Sequence, residues 1–67
     1  MTIARSLGEK LRKLRRKDRK TMEEASLIFG VSLNTLYRWE HDKAIPRKYM
    51  LEKVAEYYNL PLDYFTS

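Results

Sequence analysis

The stretch that decides the fold is Thr21-Met22-Glu23-Glu24-Ala25-Ser26-Leu27-Ile28-Phe29-Gly30-Val31-Ser32-Leu33-Asn34-Thr35-Leu36-Tyr37-Arg38-Trp39-Glu40. Thr21 followed three residues later by Glu24 is a capping-box pattern, in which a hydroxyl and a carboxylate each satisfy an orphan amide at a helix start. The spacing predicts a helix over Met22 to Phe29, with Met22, Ala25, Ser26 and Phe29 on its inward face. Gly30 ends that helix, since glycine takes the left-handed position after a last turn without steric penalty. Ser32 is a second N-cap, and a further helix runs from about Leu33 to His41. Its apolar pair is Leu36 and Trp39, with Leu33 one turn before Leu36, and its exposed side carries Asn34, Thr35, Tyr37 and Arg38.

Upstream, Ile3, Leu7, Leu11 and Leu14 form one apolar stripe, which predicts an amphipathic helix from about Ile3 to Lys17. Downstream, residues 42–46 read as a turn, and a fourth helix starts near Pro46, a residue that suits a first helical position. That helix buries Met50 or Leu51, Val54, Ala55 and Tyr58, and Asn59 stops it. Pro61 opens a short terminal helix through Leu62 and Phe65. No alternating run or hairpin turn pair signals a strand. The expectation is an all-α, compact five-helix bundle, a single domain over residues 1–67.

Composition narrows the function. The 67 residues include no cysteine, which excludes a disulfide scaffold, a thiolate metal site and a cysteine nucleophile. One histidine excludes a multi-histidine metal site, and His41, at a helix end where a cation favours the dipole, reads as structural. No apolar run reaches the roughly 18 residues of a membrane span, and the first ten residues hold no signal-peptide stretch. The net charge of +5 conceals an asymmetry: residues 1–20 hold nine basic and two acidic residues, +7, and the other 47 hold five basic and seven acidic, −2. A basic end on a near-neutral body implies a polyanion, either nucleic acid or an anionic membrane surface, or else a merely solvated helix face.

Two short helices joined by Gly30-Val31-Ser32, over about residues 22–40, have the layout of a helix-turn-helix, whose second helix presents its outer face to a DNA major groove. Asn34 and Arg38 lie four apart and hence on one face. Asparagine suits adenine and arginine suits guanine, while Tyr37 and Thr35 flank them within reach of a phosphate or a thymine methyl. Taken singly, each of these is an ordinary exposed helix residue; their place on this second helix gives them meaning.

The chain from Leu7 to Phe65 resembles the phage-repressor and Cro type of helix-turn-helix, also called the xenobiotic response element family. The resemblance is carried by Leu11-Arg12-Lys13-Leu14-Arg15, Thr21-Met22-Glu23-Glu24-Ala25, Phe29-Gly30-Val31-Ser32, Leu36-Tyr37-Arg38-Trp39-Glu40, the Pro46 turn, Leu51-Glu52-Lys53-Val54-Ala55 and Asn59-Leu60-Pro61-Leu62-Asp63-Tyr64-Phe65. It implies a lambda-repressor-like bundle with a central helix-turn-helix, working as a homodimer on a palindromic operator. It directs Leu33, Asn34, Thr35, Tyr37 and Arg38 toward base edges. It makes Thr21, Met22, Ser32, Lys43 and Arg47 the phosphate candidates, Met22 through its amide. It pairs Arg15 with Glu40 in a structural salt bridge. Three departures stand out: Ala25-Ser26 replace a usual Leu-Ala, Asp42 replaces a usual glycine, and Leu27 and Ile28 fall where polar residues are the norm. The Ala25 gap calls for a larger neighbour, Trp39 or Phe29.

The leading expectation is thus a sequence-specific double-stranded DNA-binding transcriptional regulator, a repressor, cytoplasmic and nucleoid-associated in a prokaryotic or phage-derived setting. It has no enzymatic activity, cofactor or metal. The competing class is a protein-interaction module on the same fold, an antitoxin or antirepressor binding through Leu27, Ile28 or the C-terminal aromatics. Tyr49, Tyr57, Tyr58 and Tyr64 suit core or dimer packing better than base stacking. A third reading, a membrane-surface peptide, requires the stripe of the first helix to be free.

Overall fold

The structure is a computed structural model that describes residues 7–66. Five helices follow one another with no strand among the described residues: α1 (Leu7–Lys17), α2 (Met22–Phe29), α3 (Leu33–Glu40), α4 (Lys48–Tyr58) and α5 (Asp63–Thr66). α3 lies at the centre, with α1 and α2 packed against it, while α4 meets α2 and α5 meets α1.

Each helix contributes the residues its periodicity marks out. Leu11 of α1, Ala25 and Phe29 of α2, Leu36 and Trp39 of α3, Met50, Leu51, Val54 and Ala55 of α4, and Phe65 of α5 form one buried cluster. Leu7 and Leu14 pack against it, so the α1 stripe is occupied by the core and the membrane-surface reading fails for these residues. Ile3 and the expected first turn before Leu7 lie outside the described residues. Small Ala25 is buried in the same cluster as Phe29 and Trp39. Both Met50 and Leu51 are buried, and Tyr58 is half-buried.

The first four helices end in the same way. Arg19, Gly30, Asp42 and Asn59 each adopt a left-handed conformation, with φ between 56° and 71°. The next amide in each case donates to a carbonyl five residues back: Lys20 to Arg15, Val31 to Ser26, Lys43 to Arg38 and Leu60 to Ala55. This is the Schellman arrangement, which satisfies carbonyls that a helix end leaves without partners. The glycine and the asparagine are the expected stops; Arg19 and Asp42 do the same work with side chains that favour it less.

Two boundaries correct the sequence reading. Pro46 does not open α4: Arg47 is the N-cap, in an extended conformation, and the helix begins at Lys48. Pro46 is instead buried before the cap. Its lack of an N–H costs nothing there, because no helical bond is due. The terminal helix begins at Asp63, after a turn in which Tyr64 and Phe65 donate to the carbonyls of Pro61 and Leu62.

Asp42 has a second task. Its Oδ1 accepts from the amide of Gly8 at 3.0 Å, so a residue that ends α3 caps the start of α1. Gly8 sits so close to the end of α3 that a Cβ there would lie 2.6 Å from the Glu40 carbonyl oxygen and 2.7 Å from that of Trp39. The amide-bearing end of α1 thus meets the carbonyl end of α3, an arrangement that opposite dipole ends favour.

Candidate nucleic-acid interface

α3 is short, and its two sides differ sharply. Leu36, Trp39 and Glu40 are buried, and Asn34, Tyr37 and Arg38 are exposed. Leu33 and Tyr37 are each 44% exposed, large apolar surface on the outer side of a helix. Ser32 caps α3: its Oγ accepts from the Thr35 amide at 3.1 Å and donates to Thr35 Oγ1 at 2.9 Å. The hydroxyls of Ser32 and Thr35 are therefore joined to each other at the base of the helix.

The start of α2 stands beside the start of α3. Thr21, Met22, Glu23, Leu33, Asn34 and Tyr37 line one open hollow of about 530 Å³. Here the fold brings together two of the phosphate candidates and three of the base-reading candidates. The capping box is formed in full: the Thr21 amide donates to Glu24 Oε1 at 2.8 Å, and Thr21 Oγ1 accepts from the Glu24 amide at 3.1 Å. The next two amides, of Met22 and Glu23, have no earlier carbonyl in helical register. Met22 is half-buried, packs against the core and lines the hollow.

Thr35 and Arg47 lie elsewhere. They line a second hollow of about 290 Å³ on the other flank of α3, with Val31, Trp39, Ile45 and Tyr49. Arg47 is exposed and caps α4 with its backbone alone, which leaves its guanidinium unused by the cap. Lys43 is exposed in the loop after α3. The predicted residues therefore form two groups, Thr21, Met22, Leu33, Asn34 and Tyr37 around the first hollow and Thr35 and Arg47 around the second.

Beneath this surface Arg15 holds Glu40. Nε and Nη2 donate to the two carboxylate oxygens at 2.7 and 3.0 Å, and Nη1 donates to the Lys20 carbonyl at 3.0 Å. Glu40 is 1% exposed, so the expected structural pair is a buried, two-pronged ion pair joining α1 to the end of α3. The hydrogen bond to Glu40 raises the Arg15 pKa further above its already high ordinary value, and the guanidinium is permanently charged.

Some neighbours of the site are not singled out as site residues by the sequence. His41 ends α3 and stacks on the Tyr37 ring, with centroids 3.9 Å apart and planes 21° apart. Its Nδ1 lies 2.9 Å from the Tyr37 carbonyl oxygen, a contact that places the proton on Nδ1. The stacking follows from a spacing of four on a helix, a signal present in the sequence but common among exposed pairs. Glu23 is exposed and lines the first hollow. The apolar pair Leu27 and Ile28 divides: Ile28 packs against the core, and Leu27 alone stands 81% exposed. The candidate partner surface on α2 is thereby reduced to one side chain, because Ile28 lies closer to the buried face set by Ala25 and Phe29.

No helix among the described residues is long and apolar enough to cross a membrane. No curated protein and no solved structure matches the chain. A family model described as helix-turn-helix matches residues 11–65, nearly the whole of the bundle described above. The chain therefore belongs to the helix-turn-helix family of the phage-repressor and Cro type, a family of DNA-binding transcription regulators.

Proposed function

We propose that this protein is a sequence-specific repressor that lays α3 in the major groove of double-stranded DNA. The observation that carries the reading is the division of α3: Leu36, Trp39 and Glu40 anchor it, while Leu33, Asn34, Tyr37 and Arg38 point away from the core. A helix so held can present side chains to base edges without losing much conformational freedom on binding. Arg38 pairs with guanine and Asn34 with adenine through two hydrogen bonds each. Thr35 reaches the same groove from the other flank. Thr21, the Met22 amide, Ser32, Lys43 and Arg47 hold phosphates on either side and fix the register. Few bases are within reach of eight residues of helix, so two copies bind a palindromic site with half-sites roughly 34 Å apart. The working location is the nucleoid of a prokaryotic cytoplasm.

Selection of bound duplexes from a random pool tests this. The expected result is an enriched palindrome, to which Arg38→Ala binds about 1–3 kcal/mol more weakly, with unrelated duplexes less affected. An Arg38→Ala loss equal on every duplex, or no loss at all, refutes base reading. A protein partner, as for an antitoxin or antirepressor, is favoured by exposed Leu27, Tyr49, Tyr57 and Tyr64. A stoichiometric partner that binds the wild type and not Leu27→Ser would support that second reading.

A further inference from the structure

The hollow between the starts of α2 and α3 has largely apolar walls. Met22, Leu33 and the Tyr37 ring give it apolar sides, with Asn34, Thr21 and Glu23 as its polar residues. A single exposed leucine on a helix needs no explanation. Leu33 is different because it shares one concavity with a methionine from another helix and with an aromatic ring. His41, at the end of α3, stacks on that ring.

We infer that this hollow receives the C5-methyl group of thymine, and that each half-site carries a thymine opposite Met22 and Leu33. The inference rests on the major-groove reading proposed above. Of the groups that base pairs present in the major groove, the thymine methyl is the one apolar group; the others are hydrogen-bond donors and acceptors. A cytosine amino group or a guanine oxygen pressed against Leu33 and Met22 would lose water and gain no partner, which is unfavourable. The largely apolar lining offers a phosphate no partner, so the DNA backbone is held at the start of α2 and a base edge enters the hollow instead. The hollow is open rather than enclosed, and it can receive the edge of a base pair together with its neighbour. Met22 thus acquires a role in choosing sequence beyond its amide.

The test uses the duplex enriched from a random pool and replaces its thymines one at a time by deoxyuridine, which removes only the methyl group. One thymine in each half-site should matter. Its replacement in one half-site should weaken wild-type binding about fourfold, the value of one buried methyl group, and replacement in both half-sites by roughly 15-fold. In Leu33→Ala or Met22→Ala the ratio between thymine and deoxyuridine at that position should fall toward one. Leu33 is half-exposed, so its variant retains the core, and its Arg38-dependent preference for the selected duplex serves as the control. A ratio of one at every position in the wild type overturns the inference and would fit a hollow that serves a small molecule or a protein. A ratio near four that neither variant changes also overturns it. If no duplex is enriched at all, the DNA-reading proposal fails and takes this one with it; an enriched duplex without methyl sensitivity refutes the inference alone.

Discussion

Arg15 and Glu40 show how much one pair can decide in a chain of this size. A 67-residue domain has a total stability of only about 3–10 kcal/mol. Truncating Arg15 would leave the Glu40 carboxylate buried without its partner, and breaking such a pair costs about 3–5 kcal/mol. Arg15→Ala should therefore lose about 3–5 kcal/mol, a third or more of the total, as urea or thermal unfolding would show; a loss below about 1 kcal/mol would mean the pair is dispensable. Tyr58 supplies a pH dependence. Burial, with the nearby Asp18 charge adding to it, raises its pKa to about 12 from an ordinary value of 10. Between those values the unfolded chain has released the phenol proton and the folded chain retains it, so folding stability falls as pH rises. Tyr57 acts in the same direction, since its hydroxyl donates to Asp18 Oδ2 at 2.8 Å and that bond raises its pKa. Alkaline unfolding between pH 10 and 12 should be shallower in Tyr58→Phe than in the wild type.

The helix ends carry the next level of organisation. Arg19 is exposed and left-handed, a conformation that costs a non-glycine residue about 1–2 kcal/mol. Arg19→Gly should raise stability by about 0.5–1 kcal/mol once the greater freedom of the unfolded chain is allowed for. Asp42→Gly relieves the same strain but removes the carboxylate that caps Gly8, a contribution of about 0.5–2 kcal/mol. It should therefore gain nothing or lose stability, and a gain matching that of Arg19→Gly would disprove the capping role. The close approach of α1 to α3 makes a third test. Gly8→Ala must push α1 away from the Trp39 and Glu40 carbonyls, and overpacking of this kind costs about 1–3 kcal/mol. Thermal unfolding of the three variants together separates strain, capping and packing.

For the molecule as a whole, charge and reading surface are largely different places. The first twenty residues carry +7, whereas Arg38 is the one charged residue among the proposed base readers. Basic charge on one element raises the rate of encounter with a polyanion and sets the salt dependence, but it does not rank base sequences. Replacing Lys13, Arg16 and Lys17 with glutamine should weaken binding to all duplexes alike, most strongly at low salt, and leave the order of preference unchanged. A change in that order would show that α1 takes part in reading. Salt titrations with the selected and an unrelated duplex would decide it.

Much of this architecture was legible beforehand because helix punctuation is local. The Thr21 and Glu24 capping box, the Ser32 cap and the stops at Gly30 and Asn59 depend on residues no more than a few positions apart. The apolar stripes of α1 and α3 depend only on helical period, and the family pattern added the Arg15–Glu40 pair. The sequence by itself therefore determined the five helices, the layout of the central pair and the outward place of Asn34, Tyr37 and Arg38, whereas packing left Leu33 exposed and Thr35 half-buried. Other features needed chain folding to bring distant residues together. The Asp42 cap on Gly8 spans 34 residues, and the approach that makes Gly8 necessary exists only when α1 lies against the end of α3. The hollow of Met22, Leu33 and Tyr37 joins the starts of two helices, and the division of Leu27 from Ile28 follows from where α2 meets the core. Local hydrogen bonding and periodicity select helices, but proximity between helices is set by packing, and only the tertiary structure decided that.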